Sequence, residues 1–293
     1  ADNRDFDLAM KYIRYNWDAL EVVLGVDLTN ISASYTNIYS VTNPLYGATG
    51  DGKTDDGEAI QAAIDAAYDA GGGIVSLPEG TYLISATLNT RANVCIKGDG
   101  RFNTVIKLDD DSDCDVFNST HEDGDYRCIF QDFRVNGNKD NNASGSGFSG
   151  HWVIARFRNT QVHGCAEYAY DFNGDSGGDI LLTGCSGGSS NIGLRSFHAG
   201  TVIIGGNYEG NTTNNIYFKD FNGGVIEGTF QDGAVNSIVI ENCRGIVVSG
   251  LHMVGWSNYG IYLSKGSHGN YIQTSFEDRA QAYYASPSTF DNT

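Results

Sequence analysis

The fold is decided between Asn159 and Gly269 by five short quotations: Val162-His163-Gly164, Leu182-Thr183-Gly184, Ile204-Gly205-Gly206, Ile226-Glu227-Gly228 and Val248-Ser249-Gly250. Their last glycines are spaced 20, 22, 22 and 22 residues apart, with an aliphatic residue two positions before each. Ile272 continues the aliphatic column without its glycine. A second column holds Ile192, Ile216, Ile238 and Ile261, and two residues further on Leu194, Phe218, Ile240 and Leu263. Self-similarity at a fixed period of about 20 to 50 residues marks a solenoid. The apolar residues alternate with small or polar ones, which is the pattern of short strands. The runs are too short for amphipathic helices, which excludes helical and leucine-rich solenoids. A block of about 22 residues with two or three strands is one coil of a parallel β-helix.

Composition agrees with that frame. The chain has 293 residues, 38 of them Gly and only 3 Pro, which suits tight turns repeated many times. The net charge is -18, with 36 acidic against 18 basic residues and no Lys/Arg cluster, so nucleic acid is not an expected partner. No membrane span or signal peptide is visible, and membrane insertion is not expected. The six cysteines show no CxxC spacing, which argues against zinc. Cys165 and Cys185 each follow a ladder glycine and are expected on adjacent coils as small core residues, a disulfide being the alternative. His163, His198, His252 and His268 stand at different offsets from the ladder, so no metal site is expected.

Upstream, Phe6, Met10, Ile13, Trp17, Leu20 and Leu24 form an a/d seam over residues 4–24. Two readings stand: a short coiled coil that makes the protein a homotrimer, or a single helix packed as a lid. Residues 26–46 read as a neck, so the chain divides into a head and neck over 1–45 and a β-helix domain over 46–293.

Three motifs follow in order: Gly47-Ala-Thr-Gly-Asp-Gly-Lys-Thr-Asp-Asp56, Ala59-Ile-Gln-Ala-Ala-Ile-Asp-Ala-Ala67 and Gly71-Gly-Gly-Ile-Val-Ser-Leu-Pro-Glu-Gly-Thr-Tyr82. Gly47 to Thr54 formally fits a phosphate-binding loop. Asp51, Asp55 and Asp56 would surround a phosphate with negative charge, so the favoured reading is a turn that starts a helix near 56–70. That helix would cover the open end of the solenoid, whose first coil otherwise exposes strand edges. Together the three motifs resemble the N-terminal signature of the pectate-lyase-like superfamily. The resemblance implies a right-handed parallel β-helix and a carbohydrate ligand. It does not single out one reaction, since members include lyases, glycoside hydrolases, mannuronan C5-epimerases and virus tailspikes.

Within that resemblance, Glu167-Tyr-Ala-Tyr-Asp-Phe-Asn-Gly-Asp175 is similar to the epimerase and lyase motif Y-G-x-D-P-H. Tyr168 and Asp171 match its tyrosine and aspartate; Phe172 replaces the proline, and Asn173 replaces the histidine. Asparagine cannot transfer a proton at neutral pH, so the motif is broken at its proton carrier. The candidate catalytic residues are Tyr168, Asp171, Asn173 and Asp175. A hydrolase reading would instead pair carboxylates on neighbouring coils, drawing on Asp171, Asp175, Asp179, Glu209 and Asp232. Tyr208, Tyr217, Tyr259 and Trp256 are candidate sugar platforms if they face outward; facing inward, the aromatic rows would be a core stack.

No cofactor is required by these readings. Asp111, Asp113, Asp115 and Glu122 fall at calcium-loop spacing, but Val116 stands where that loop needs glycine, leaving Ca2+ or a solvated acidic loop. Asn136 to Gly147 is too polar for a core and reads as a groove wall. The leading expectation is a virion spike or appendage, on the virion surface or otherwise extracellular, that binds and in one version degrades a cell-surface polysaccharide. The alternatives are a polysaccharide-modifying enzyme (uronate lyase, C5-epimerase or glycoside hydrolase) and a structural rod without a sugar site.

Overall fold

The computed structural model describes residues 37–119, 125–174, 179–197, 200–264, 266–276 and 283–285. The chain divides into two compact units, 1–38 and 39–293. The expected seam over 4–24 lies outside the described residues.

The second unit is an all-β, right-handed parallel solenoid of about nine turns with one short helix. Each coil runs through three strands and adds one to each of three parallel sheets. The first sheet runs from Gly73–Leu77 to Tyr271–Phe276, by way of Trp152–Arg158 and Asn222–Glu227. The second starts at Asp51–Asp55 and reaches Phe230–Asp232. The third starts at Leu88–Asn89, includes Tyr168–Phe172 and Ile192–Ser196, and ends at Tyr283–Ala285.

The glycine ladder is the corner between the first and second sheets, where the backbone turns with positive φ. Gly184, Gly228 and Gly250 occupy it at φ 62, 63 and 63. Two expected members are corrected. Gly205, not Gly206, donates its N–H along the stack to Glu227, and Gly164 belongs to the other corner, donating to Gly188 at the end of the second sheet. The coil before Gly184 turns instead on Asn159 at φ 49, and the one before that on Asp132 at φ 63. Asn and Asp tolerate the left-handed region better than other non-glycine residues, so the column continues without glycine. The aliphatic column shifts accordingly. Leu182 stacks on Ile203, which stacks on Ile226, and Ile204 points outward. Cys165 and Cys185 therefore sit at different corners, and all six cysteines are free.

The helix forms at Gly57–Asp69 and buries Ile60, Ala63, Ile64 and Ala67. Gln61 makes it a cap in hydrogen-bond terms. Its Nε2 donates to the Asn89 carbonyl at 3.2 Å, and its Oε1 accepts from the Asn89 N–H at 2.8 Å. Both main-chain groups at the open edge of the third sheet are thereby satisfied. In the glycine-rich turn before it, carboxylates already hold the backbone donors a phosphate would need. Asp56 accepts from the N–H groups of Thr49 and Gly50, and Asp51 from those of Lys53 and Thr54, which lowers the Asp51 pKa to about 2.

The core of the early coils is aromatic. Phe148 stacks on Phe117 at 4.9 Å and on Tyr170 at 5.5 Å, and meets Phe130 edge-on at 5.0 Å. Burial also raises thiols, to about 11 for Cys95, about 12 for Cys165 and about 11 for Cys243, against an ordinary value of 9.0. These groups keep their protons in the folded chain when an unfolded chain has lost them. Their contribution is therefore complete below the ordinary thiol range and is lost as pH rises through about 9 to 12. The urea midpoint should hold between about pH 7 and 8.5 and fall steadily above it. Serine at all three positions should flatten that fall.

Candidate functional site

On the third sheet the outward position of successive coils carries Ser149, Asp171, Arg195, Tyr217, Val239 and Tyr262, paired in register. Alternation along each strand turns their neighbours Tyr170, Phe172, Leu194 and Ile216 into the core. One row thus brings chemistry from six coils onto one face.

Its densest part is around Arg195. The guanidinium makes a two-pronged contact with Asp171, Nε to Oδ1 at 2.6 Å and Nη2 to Oδ2 at 2.7 Å. Nη1 donates to the Tyr168 hydroxyl at 2.8 Å, and the Arg195 Cζ lies 3.9 Å from the centre of the Tyr168 ring. The Phe197 ring flanks it at 5.1 Å. Asn173 is exposed and donates from Nδ2 to Asp171 Oδ2 at 3.0 Å. The Asp171 side chain is only 3% exposed and that of Arg195 22%. Burial opposes the Arg195 charge, but Asp171 more than offsets it and its pKa is raised. Burial raises the Tyr168 hydroxyl above the usual tyrosine range; Arg195 pulls it down, while Asp171 and Glu167 reinforce the rise.

The polar groups of this cluster are largely engaged with one another. Asp171 accepts from three N–H donors, Asn173 has no titratable group, and Tyr168 keeps its proton at neutral pH. The Tyr168 hydroxyl accepts from Arg195, which leaves its own hydrogen for a ligand. One coil on, Tyr217 donates to Glu241 Oε2 at 2.6 Å; burial first and then this bond raise its pKa. Glu241 also pairs with Lys219 at 3.0 Å. Each of these two cations has its own carboxylate.

The expected residues separate as follows. Tyr168, Asp171 and Asn173 come together, and Tyr217 joins them on the next coils. Tyr259 is half-buried and stacks on Tyr262 at 5.2 Å. Asp175 lies outside the described residues. Tyr208 is 0% exposed and Trp256 4%, so both are core residues and neither is a platform. The Gly205-Gly206 pair puts Tyr208 one residue out of frame, opposite Gln231 rather than Phe230, and a one-residue slip reverses the face. Of the carboxylates considered for a hydrolase, Glu209 and Asp232 are register partners on neighbouring coils of the second sheet, away from Asp171 on the third. Asp179 opens a first-sheet strand, and Glu209 and Asp232 end second-sheet strands. Arg195 was missed by sequence reasoning, although it lies 24 residues after Asp171, one coil of this region.

The acidic and asparagine-rich loops close on each other. Asp113 Oδ1 accepts from the Ala143 N–H at 2.6 Å, Asp115 Oδ1 from Ser146 at 2.7 Å, and Asp110 Oδ1 from the amides of Asn138 and Asn141. Their carboxylates serve the backbone and amides of the opposite loop. Among the described residues no three His, Cys, Asp or Glu side chains converge as a metal site would require.

A sequence model of the family described as rhamnogalacturonase A/epimerase, pectate lyase-like matches residues 40–271. Mannuronan C5-epimerase AlgE5 of Azotobacter vinelandii is 45% identical over 106 residues, 33% of this chain and 11% of that protein. The pre-neck appendage protein of Bacillus phage B103 is 32% identical over 131 residues, 43% of this chain and 15% of that protein. The chain thus spans a small fraction of the length of these curated relatives. Among solved structures, tailspike protein 2 of Escherichia coli O157:H7 bacteriophage CAB120 aligns with a TM-score of 0.68 at 15% identity. That alignment covers 82% of this chain and 34% of that one, a likeness of fold.

Proposed function

The chain belongs to the rhamnogalacturonase A/epimerase, pectate lyase-like family, and from that membership we propose that it is the glycan-recognising part of an extracellular spike or virion appendage. The observation that carries this reading is the outer row of the third sheet, where Tyr168, Arg195, Tyr217 and Tyr262 stand in or beside one register across consecutive coils. Tyr168, Tyr217 and Tyr262 stand two coils apart, with Arg195 and Val239 on the coils between them, so aromatic rings recur about every 10 Å, close to the rise of two sugars along an extended polysaccharide. Sugars stack their C–H faces on such rings. The pre-neck appendage relative supports the setting. The seam at residues 4–24 would hold three chains together, as the heptad spacing suggests.

A second reading, a uronate lyase or C5-epimerase, is favoured by one observation: Tyr168, Asp171 and Arg195 are already assembled. Asn173 weighs against it, because the position of the motif's proton carrier holds no titratable group, although the His151 ring packs against the neighbouring Gly174. The test is equilibrium binding of the full chain to alginate and a panel of bacterial capsular polysaccharides. Ultraviolet absorbance of the unsaturated product is followed in parallel. The expected result is saturable binding to one polymer, no absorbance rise, and a Kd about tenfold higher in Tyr217→Ala, the cost of about 1.4 kcal/mol for one lost aromatic contact. A steady absorbance rise would establish the lyase reading, and no binding to any polymer would remove the glycan.

A further inference from the structure

The chain carries two carboxylates for every cation, yet cations outnumber carboxylates where the first and second sheets meet on three early coils. Lys97 and Arg158 stand in register with Gln131, one coil before it and one after. Arg101 and Phe102 lie in the turn that leads from Gly98 to Thr104. Lys107 and Arg134 face outward on adjacent second-sheet strands, Arg134 paired with Val105 and Lys107 with Asn136. One strand across and two residues along, their Cα atoms are about 8 Å apart. The carboxylates of the region are four: Glu79 on the corner of the coil before, Asp99, Asp109 and Asp132. Asp99 Oδ2 accepts the Glu79 N–H at 3.2 Å, Asp109 Oδ1 the Asp110 N–H at 2.8 Å, and Asp132 Oδ1 the Asn159 amide at 2.8 Å. Among the described residues the ion pairs are Arg91 with Asp65, Arg195 with Asp171 and Lys219 with Glu241, so none of these five cations has one.

Two of the heads converge on one ring. Arg101 Cζ lies 5.0 Å and Arg134 Cζ 5.1 Å from the centre of Phe102, so the two are no more than 10.1 Å apart, the sum of those distances. Phe102 is 69% exposed, while Arg101, Lys107 and Arg134 are half-buried. Arg134 is also held from the next coil, its Nε donating to Gln161 Oε1 at 3.0 Å, which leaves both Nη groups facing out. Two like charges held at one ring with no carboxylate paired to either repel each other, and an anion placed on them removes that repulsion. We propose that this corner binds a phosphate monoester.

Phosphate fits the arrangement better than carboxylate does. A phosphate monoester carries three free oxygens and close to two charges at neutral pH. It can meet the Arg134 fork with two oxygens and still offer a third to Arg101 or Lys107. A carboxylate has two oxygens and one charge, and the fork alone uses both. The ester link points the rest of the ligand outward, away from the sheet. His163 provides a local reporter. It stands two residues after Gln161 on the same strand, and burial, then the Arg134 charge, lower its pKa below the usual histidine value. A dianion settled on Arg134 offsets that charge and raises the His163 pKa again. The site is on another sheet from Arg195 and Tyr217, so a polymer held on the third sheet leaves Phe102 as exposed as in the free chain. The proposal goes beyond glycan recognition and does not depend on it.

The test follows the His163 imidazole by NMR in the full chain, the signal being assigned by its loss in His163→Gln. Glucose 6-phosphate is titrated at a fixed ionic strength of about 0.15 M, where exposed charges more than about 8 Å apart are screened from each other. The expected result is a saturable shift with a Kd on the order of 1 mM or tighter and a raised His163 pKa at saturation. Glucose, and acetate at the same ionic strength, should leave the signal in place. Arg101→Met with Arg134→Met should raise the Kd at least about tenfold with an unchanged circular-dichroism spectrum. If that variant fails to fold, Arg134→Lys keeps the charge and loses the fork, and should still weaken binding at least about threefold. No saturable shift, a response to acetate equal to that of the phosphate ester, or a folded variant with wild-type affinity overturns the proposal. A shift with inorganic phosphate but none with glucose 6-phosphate would overturn it too, since the site would then exclude the ester. Glycan binding should be the same in variant and wild type, so failure here is distinct from failure of the recognition reading.

Discussion

Arg195→Ala is expected to lower folding stability by about 3 kcal/mol and to abolish glycan binding. The stability loss comes from what remains. Asp171 is nearly sealed from water, and Arg195 supplies two of its three donors. Removing one partner of a buried pair costs about 3 to 5 kcal/mol, because a carboxylate is left in a poorly solvating site. The partial exposure of Arg195 places the effect at the low end, since water reaches part of the gap. One further result separates this cause from lost packing. Asp171→Asn with Arg195→Met should cost less than Arg195→Ala alone, because no unpaired charge is buried. Chemical denaturation reads the difference. Equal losses in the single and double variants would assign Arg195 a packing role only.

Phe148→Ala should cost about 3 to 5 kcal/mol. Its ring is fully buried and lies within about 5.5 Å of four others, Phe117, Phe130, Phe157 and Tyr170. Phe117 and Tyr170 are its register partners on the coils before and after it. In a stacked solenoid each coil is stabilised by its two neighbours, so a cavity here weakens the link between the early and the late coils. Denaturation should therefore show an earlier loss of the near-ultraviolet aromatic signal than of the far-ultraviolet β-sheet signal. Phe102→Ala is the contrast: that ring is 69% exposed and its loss should stay within about 0.5 kcal/mol. A Phe148→Ala effect as small as that of Phe102→Ala would mean the aromatic stack does not couple the coils.

How far each feature was legible follows from how locally it is encoded. The parallel β-helix was readable because a coil corner needs positive φ once per turn and glycine supplies it at Gly184, Gly228 and Gly250. The capping helix was readable from Ile60, Ile64 and the alanines around them. Register was not, because Asp132, Asn159 and Ser189 make the same corners without glycine, and Gly205-Gly206 offers two frames. That single ambiguity misplaced Ile204 and Tyr208, since a slip of one residue exchanges core for surface. At the site, Tyr168, Asp171 and Asn173 were visible as neighbours on one strand. Arg195 was not, because its partnership with Asp171 crosses coils and exists only once the register is known.

The most direct test of glycan recognition on the third sheet is hydroxyl-radical footprinting of the full chain with and without the polysaccharide it binds best. The account predicts protection of Tyr168, Tyr217, Tyr259 and Tyr262, with Phe102 and Tyr126 reacting as in the free protein. Protection confined to the loops around Asp113 and Asn142, or no protection at saturating polymer, would contradict it.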